Sequence, residues 1–303
     1  MVRFLRFSLL GLFSLTLLAC ALHVSNSGEE DIAPKPPTAL RIASQNVHYI
    51  LLNADDGRWS VTDWETRKGA LDTTLKTLDA DVVAFQEMES FSRGSDGSVN
   101  LARDFLLKHN PEYALAASGD WQEFPSTQPI FYRRDQLELK DQGWFFFSET
   151  PHVIYSRTFN GSYPAFSSWA LFKPKDGRPE FFVYNIHFEY KSRSNRRLSA
   201  QLVRDQIAAR VGNGAHVVLA GDLNALYGSH TMGLLEEAGL KFAQPEGSTY
   251  HFDRGINLFG AIDHIGVSPG VRLTSDPVVV RQQFDGQWPS DHYPVFVDIA
   301  FDR

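Results

Sequence analysis

Residues 217–224, which read VVLAGDLN, form an apolar run that ends in a carboxylate and an amide. A short apolar run of this kind, led by two β-branched valines, predicts a strand buried on both faces. In open α/β sheets, ligands bind where the carboxyl ends of the strands converge. Asp222 and Asn224 stand at that end of the predicted strand. The segment therefore predicts both an α/β sheet and the position of a site on it.

Three other apolar strands end in polar side chains in the same way. They occupy residues 42–46, 82–87 and 182–187, and they end in Asn46, Glu87 and His187. Carboxylates gathered at one point repel each other unless a cation or a proton neutralises them. Oxygen ligands from Asp, Glu and Asn suit Mg²⁺, with Mn²⁺ and Ca²⁺ as alternatives, and the single cysteine cannot form a thiolate cluster for zinc.

Short apolar strands alternate with helical patterns along the chain, which predicts an α/β sandwich with both sheet faces covered. The sequence Thr62-Asp63-Trp64-Glu65 has the form of a capping box and predicts a helix with Thr62 at its N-cap. No internal repeat is visible, and one domain over residues 39–303 is expected. Further helices are predicted at 101–109, 195–211 and 231–238, and strands at 40–47, 81–87, 129–133, 137–147, 169–172, 180–187, 215–220, 261–267 and 295–301.

Six segments, taken in order, resemble the endonuclease/exonuclease/phosphatase superfamily. They are SQNVHY (44–49), VVAFQEME (82–89), YNIHFEY (184–190), VVLAGDLNAL (217–226), GAIDHIGV (260–267) and PSDHYPVFVDI (289–299). One such segment would be weak, since GDLN alone occurs by chance, but six in order are specific. The resemblance implies a deoxyribonuclease I-like fold. That fold is a four-layer α/β sandwich, in which two mixed β-sheets pack face to face with helices on the outside.

The resemblance also implies a metal site. Glu87 corresponds to the principal Mg²⁺ ligand of the family, Asn46 lies beside it, and Asp291 is expected near the metal. A metal there would polarise the phosphoryl group of a phosphate ester.

The remaining implied roles are catalytic. Asp222 corresponds to the residue that orients or deprotonates the attacking water, and Asn224 to one that holds a phosphate oxygen. His292 is expected to contact the phosphate, with Asp263 fixing its tautomer. His187 is a candidate acid for the leaving oxygen. Taken singly, each of these residues is also a common turn, cap or half-buried residue, and it is their joint occurrence that favours catalysis.

Weaker candidates for substrate contacts lie in loops. The basic segment after His187 is as readily a solvated helix start, and the loop around residues 152–157 is as readily plain loop. These candidates are Arg193, Arg197, His152, Tyr155, Arg157 and His251.

The first residues have the form of a targeting signal, with Arg3 and Arg6 before a short apolar run. The run ends at Leu17-Leu18-Ala19-Cys20, which resembles the lipobox of bacterial lipoproteins. The resemblance implies cleavage after residue 19 and acylation of Cys20. Residues 20–38, polar and rich in proline, are then expected to form a flexible tether. We expect an exported protein, anchored by lipid to the bacterial cell envelope and to the outer membrane in a Gram-negative cell.

The expected function is hydrolysis of a phosphodiester or phosphomonoester outside the cytoplasm, by a monomer that depends on Mg²⁺. An extracellular nuclease acting on DNA or RNA is one alternative, and a non-catalytic surface binding protein on the same fold is another. The net charge of −7, which becomes −9 after cleavage removes two arginines and no acid, argues mildly against tight non-specific binding of long nucleic acid.

Overall fold

The computed structural model describes residues 2–28, 31–93, 98–161 and 163–302, with side chains from residue 14 onward. Within these ranges the helices are α1 (Val2–Ser25), α2 (Val61–Leu78), α3 (Leu101–His109), α4 (Arg193–Gly212) and α5 (His230–Glu236). The strands are β1 (Leu40–Asn46), β2 (Ile50–Leu51), β3 (Val82–Gln86), β4 (Ser90–Phe91), β5 (Tyr113–Ala116), β6 (Ile130–Arg133), β7 (Leu137–Phe146), β8 (Phe166–Pro174), β9 (Phe181–His187), β10 (His216–Asp222), β11 (Lys241–Phe242), β12 (Asp263–Val267), β13 (Val271–Leu273), β14 (Val278–Val279) and β15 (Val295–Phe301).

Two large mixed sheets form the centre of the molecule. The first has the order β13-β15-β1-β3-β6-β5, with β14 also paired to β15, and the second has the order β11-β12-β10-β9-β8-β7. Each large sheet contains one parallel pair near its middle, β1 with β3 and β9 with β10. All other pairings in these two sheets are antiparallel. The carboxyl ends of both parallel pairs lie at the edge where the candidate site is built.

The sheets pack face to face, and helices cover their outer faces. Apolar side chains of both sheets share the inner core, whose members include Ile42, Val82, Val183 and Val218. On the outer face of the first sheet, α2 and α3 pack against Phe85 and Phe131 through Trp64, Leu71 and Leu106. On the outer face of the second, α4 and α5 pack against Val217 and Leu219 through Val203, Ile207 and Met232. The predicted four-layer sandwich is confirmed.

A buried polar network joins the two sheets beneath the candidate site. Asn185 on β9 accepts a hydrogen bond from Gln86 Nε2 on β3 (2.7 Å) and donates one to the carbonyl of Phe85 (2.8 Å). Gln128 Nε2 donates to the carbonyls of Phe166 and Asn185 at 2.9 and 3.2 Å. Because these amides are buried, their bonds are costly to break, and the network fixes the two parallel pairs relative to each other.

The start of α2 differs from the prediction. The N-cap is Ser60, whose hydroxyl accepts a hydrogen bond from the N–H of Asp63 at 3.0 Å. Thr62 lies inside the first turn, and its hydroxyl donates to the carbonyl of Asp55. The capping box assigned to Thr62 is therefore wrong by two residues. Ser60 and Thr62 both carry a hydroxyl, but only the hydroxyl of Ser60 accepts from an N–H of the first turn, and the helix therefore begins after Ser60.

The segment between α1 and β1 contacts the domain. Lys35 forms an ion pair of 2.6 Å with the buried carboxylate of Asp81, and the carbonyl of Ala33 accepts a hydrogen bond from Arg41. The last turn of α1 also contacts the domain, because His23 Nδ1 accepts a hydrogen bond from the backbone N–H of Asn257. Cys20 is exposed and carries a free thiol. Over the part of the chain that the structure describes, no helix combines the length and apolar character that a membrane crossing requires.

Candidate active site

The register of the strands sets the site. Asp222 at the end of β10 pairs with His187 at the end of β9, and on its other side with Asp263 at the start of β12. In the first sheet, Asn46 at the end of β1 pairs with Gln86, and Glu87 follows directly. The ends of both parallel pairs thus present their polar side chains to one cleft, as the strand-end pattern predicts.

Three residues at these strand ends have left-handed backbone conformations. They are His48 (φ 61°), Glu87 (φ 54°) and Asn224 (φ 46°). Asparagine tolerates this region, whereas for the other two it carries a cost of about 1 kcal/mol or more. The conformation turns the chain sharply, so that the N–H of Asn224 donates to Asp222 Oδ1 at 2.8 Å. Left-handed residues next to reactive side chains are common at functional sites.

Asn46 connects two carboxylates. Its Nδ2 donates to Glu87 Oε1 at 3.0 Å and to Asp222 Oδ2 at 3.3 Å, so the amide joins the end of the first sheet to the end of the second. His187 Nε2 lies 3.8 Å from Glu87 Oε1 and 3.7 Å from Asp222 Oδ2. Four of the predicted site residues therefore form one contiguous group.

His292 approaches the same group from the loop before β15. Its Nε2 lies 3.8 Å from Asp222 Oδ2, and its Nδ1 hydrogen-bonds to Asp263 Oδ2 at 3.0 Å. The hydroxyl of Thr249 accepts from the N–H of Asp263 at 3.2 Å, and the ring of Tyr250 lies 5.1 Å from that of His292. Asp263 thus has the geometry expected of a residue that orients the imidazole.

Burial and neighbouring charges both shift the pKa values of Asp222 and His292. Burial, together with the Asp263 charge, raises the pKa of Asp222 to about 6, although the two histidines act to lower it. Burial alone would lower the pKa of His292, but the carboxylates of Asp263 and Asp222 raise it well above its usual value. At neutral pH the site therefore holds an ionised Asp222 next to a protonated His292.

Two groups of ligand atoms could hold a divalent ion. Asp222, Asp263 and His292 place ligand atoms within 4.8 Å of one another. However, a protonated imidazole that is already hydrogen-bonded to one of these carboxylates is a poor ligand. The carboxylate of Glu87 supplies oxygen ligands, which suit Mg²⁺ better. Asn46 turns its Nδ2 towards that carboxylate, and its Oδ1 accepts a hydrogen bond from the N–H of His48. The amide of Asn46 donates hydrogen bonds to the carboxylates of both Glu87 and Asp222. The carboxylate oxygens that it brings together fit a divalent cation.

Asp291 belongs to the neighbouring wall of the cleft. It lies 3.6 Å from Arg58 Nη2, and both Asp291 and Glu87 act on the imidazole of His48. Burial would raise the pKa of Asp291, but His48, His292 and Arg58 lower it overall, so the group is ionised. Arg58 was missed because no motif surrounds it in the sequence.

Tyr163 and Glu89 were also missed by the sequence analysis. The ring centroid of Tyr163 lies 6.5 Å from that of His187. Burial, reinforced by the charge of Glu87, raises the pKa of Glu89 to about 7. Glu89 lies within VVAFQEME, two residues beyond Glu87, and that spacing was the available signal.

The weaker candidates divide into three groups. Arg193 and Arg197 line a cavity that also borders Asn224. Tyr155 is exposed, and its hydroxyl donates to the carbonyl of Trp121 at 2.6 Å.

His152 and Arg157 are exposed on the same loop as Tyr155. His251 differs from the other candidates, because its side chain is fully buried and its ring stacks on Tyr293 at 4.0 Å. The expectation that His251 contacts substrate is corrected on this ground, since a ring enclosed by Tyr293 and Trp288 presents no atom to a ligand.

The sequence profile of the endonuclease/exonuclease/phosphatase family matches residues 46–292, which is most of the chain. Among curated proteins, no sequence matches it.

Solved structures with the same fold are similar over nearly their whole length. An endonuclease/exonuclease/phosphatase family protein from Bacteroides thetaiotaomicron is 26% identical, with a TM-score of 0.73 over 88% of this chain and 100% of that one. A mannosyl-6-phosphatase from the same organism is 26% identical, with a TM-score of 0.72 over 86% of this chain and 100% of that one. TDP2 from D. rerio, in complex with single strand DNA product, is 17% identical, with a TM-score of 0.60 over 86% and 99% of the two chains, and this likeness shows the fold alone.

Proposed function

The chain belongs to the endonuclease/exonuclease/phosphatase family, and from that premise we propose that it is a metal-dependent phosphoesterase that attacks its substrate with an activated water. One observation supports this most strongly. Asp222 Oδ2 lies within 3.8 Å of the Nε2 atoms of both His187 and His292, at the point where the two sheets meet. The cluster brings one possible proton acceptor and two possible proton donors to a single cleft, and such groups are what general acid–base hydrolysis of a phosphate ester uses.

Each group has a definite part in this proposal. Asp222, ionised at neutral pH, accepts the proton of the attacking water. His292, protonated through its pairing with Asp263, donates a hydrogen bond from Nε2 to a phosphoryl oxygen and stabilises the charge that develops there. His187 faces the cleft from β9 and donates a proton to the leaving oxygen. Asn224 holds a further phosphoryl oxygen.

We propose that Glu87 and Asn46, with Asp291 nearby, hold a divalent cation, for which Mg²⁺ is our first choice. When bound, the cation would polarise the phosphoryl group. The proximity of the two carboxylates supports this assignment, because Glu87 and Asp222 both accept from the amide of Asn46 and a cation would reduce the repulsion between them.

Small phosphorylated molecules are the substrate class we favour over long nucleic acid. A relative of 26% identity is described as a mannosyl-6-phosphatase, and this chain has a net charge of −7. A net negative surface opposes the approach of a long polyanion. A nuclease remains the alternative that the experiment must separate.

The experiment uses purified protein beginning at Ser25, with phosphate release and cleavage measured in Mg²⁺ and in EDTA. The panel contains p-nitrophenyl phosphate, bis-p-nitrophenyl phosphate, mannose 6-phosphate, inositol phosphates, sphingomyelin, supercoiled plasmid and a single-stranded oligonucleotide. We expect metal-dependent turnover of a small phosphate ester that is lost in His292→Ala. Cleavage of plasmid or oligonucleotide alone would identify a nuclease. Silence across the panel by folded protein would favour a binding protein on the same fold.

We also propose that the protein is exported and held to the cell envelope by lipid on Cys20. The support is the Leu17-Leu18-Ala19-Cys20 sequence and the exposure of the thiol. Cys20→Ser should abolish incorporation of a labelled fatty acid and release the protein from the membrane fraction. Unchanged labelling would show that the anchor is elsewhere.

A further inference from the structure

A cavity of about 550 Å³ opens beside Asn224, between the first turns of α4 and the segment that joins β10 to α5. Arg193, Arg196 and Arg197 are among its lining residues, and no Asp or Glu belongs to that lining. The volume lies in the range of pockets that hold small organic ligands. A cavity with three cationic side chains and no carboxylate in its wall is suited to an anion.

The three arginines are not neutralised by hydrogen-bonded carboxylates in the contacts that the structure shows. Arg196 Nη1 donates to two backbone carbonyls, those of Glu189 and Tyr190, at 2.7 and 2.8 Å. Burial, and then the positive charge of Arg193, lowers the pKa of Arg196, while Glu189 and Asp222 offset this only in part. Arg193 and Arg197 are exposed. Neighbouring cations that repel one another would be relieved by a bound anion.

A second, independent feature lies in the same wall. The buried hydroxyl of Ser229 has no hydrogen-bond partner among the residues that the structure describes, although Ser229 lines the cavity. A hydroxyl donates readily to a phosphate oxygen, and a buried one left without a partner is unfavourable. The cavity wall therefore combines three cationic side chains with a buried hydroxyl that lacks a partner among the described residues.

The cavity adjoins the candidate reaction centre. Asn224 borders the cavity, and its N–H donates to Asp222 Oδ1 at 2.8 Å. A small molecule with one phosphate at Asp222 can therefore extend past Asn224 towards the arginines. The arginines lie in one cavity on a protein of net charge −7, which favours a compact polyanion over a long strand.

We propose that this cavity binds a second phosphate group of the substrate, so that the protein prefers small molecules that carry two phosphate groups. This inference rests on the proposed function, because it takes the group at Asp222 to be the phosphate that is hydrolysed.

The kinetic test compares fructose 6-phosphate with fructose 1,6-bisphosphate, with p-nitrophenyl phosphate as a substrate that cannot reach the cavity. The variants are the double substitution Arg193→Gln/Arg197→Gln and the control Arg272→Gln, which removes an exposed arginine on β13. Because charge-assisted hydrogen bonds to phosphate are strong, the double variant should raise KM for the bisphosphate about tenfold or more. Its KM for fructose 6-phosphate should rise much less than its KM for the bisphosphate, and the control variant should stay within about twofold of the wild type on all three substrates.

A binding measurement separates failure of this inference from failure of the proposed function. Thermal unfolding is followed in EDTA with and without fructose 1,6-bisphosphate, and a single-stranded oligonucleotide is the second ligand. A shift in Tm by the bisphosphate that is lost only in the double variant supports the cavity even if no turnover is seen. An equal shift in Tm for the double variant and the wild type overturns the inference and does not affect the proposed phosphoesterase function. A dependence on the arginines that appears only with the oligonucleotide would also overturn it, since the occupant would then be a nucleic-acid strand.

Discussion

At the scale of single residues, Asp222 is the side chain on which the site depends. It is almost fully buried, lies between two imidazoles, and receives hydrogen bonds from Asn46 and from the backbone of Asn224. A carboxylate whose pKa is raised to about 6 is ionised at neutral pH and basic enough to take a proton from water. Its neighbours therefore hold it in place and also adjust its basicity.

Asp222→Asn keeps the shape of the side chain and removes its charge. We expect kcat to fall about 10²–10⁴-fold, because the base that activates water is lost. Stability should change little, since the amide can still accept the hydrogen bond from Asn224. Steady-state kinetics together with a thermal melt measures both quantities, and a rate close to that of the wild type would show that another group is the base.

Asp263→Asn tests a positioning role. The variant retains a side chain next to His292 Nδ1 but loses the charge that keeps the imidazole protonated. Changes of this kind cost about 10- to 100-fold in activity, and here the loss should appear in kcat with KM nearly unchanged. NMR titration of His292 supplies the second readout, since its pKa should fall in the variant. An unchanged titration would limit Asp263 to a structural role.

His251 predicts a pH dependence of stability. Burial lowers its pKa to about 3, whereas in the unfolded chain it is about 6.5. Below pH 6.5 the unfolded chain binds a proton that the folded protein does not, so stability is lost as pH falls from 6.5 towards 3. The loss by pH 5 amounts to about 2 kcal/mol. His251→Gln should remove this contribution, seen as a smaller difference between urea unfolding free energies at pH 7.5 and 5. Equal pH dependence in both proteins would contradict the assignment.

At the scale of elements, the parallel pairs are the units that build the site. Each pair ends in two polar residues at the same edge of its sheet, and the Asn185–Gln86 hydrogen bond holds one pair against the other. Helices contribute less directly to the reaction centre. They cover the outer faces and provide, at the start of α4, the arginines of the cavity.

The N-cap of α2 gives a prediction with an internal control. Ser60→Ala removes the hydroxyl that accepts from the N–H of Asp63, and it should lower the free energy of unfolding by about 1 kcal/mol. Thr62→Ala, two residues away on the same turn, should change it by less than about 0.5 kcal/mol. Chemical denaturation of the two variants side by side measures the difference. A larger effect at Thr62 would restore the capping box predicted from the sequence.

At the scale of the whole molecule, the sequence predicts well which polar strand ends lie together at the candidate site, and it predicts poorly the buried hydrogen bonds beneath them. Asp222 and Glu87 follow apolar runs, and a run and its polar end are both visible locally. Asn185 and Gln128 were not recognised as a bridge, because an amide next to apolar residues has no local sign of its partner in the other sheet. Arg58 comes from a loop without a motif, and only the folded chain shows that it pairs with Asp291.

The segment before β1 provides a prediction about the whole chain. A protein beginning at Ala39 lacks Lys35 and leaves the buried carboxylate of Asp81 without its ion pair. We expect it to be less stable by about 1.5–3 kcal/mol than a protein beginning at Ser25. Lys35→Met in the longer protein should reproduce much of that loss in urea denaturation. Identical midpoints for the two lengths would mean that the segment is only a tether.

The pairing of β15 with β1 also determines when the protein can become active during its synthesis. β1 lies between β3 and β15. The pairing of β1 with β15 joins residues about 250 positions apart, and His292 lies just before β15. Contacts of such long range form late, because the intervening chain must first be present. Until β15 has left the ribosome, β1 is an edge strand, β13 and β14 have no partner in this sheet, and His292 cannot be held beside Asp222. A growing chain that has not yet added β15 therefore lacks part of the candidate site.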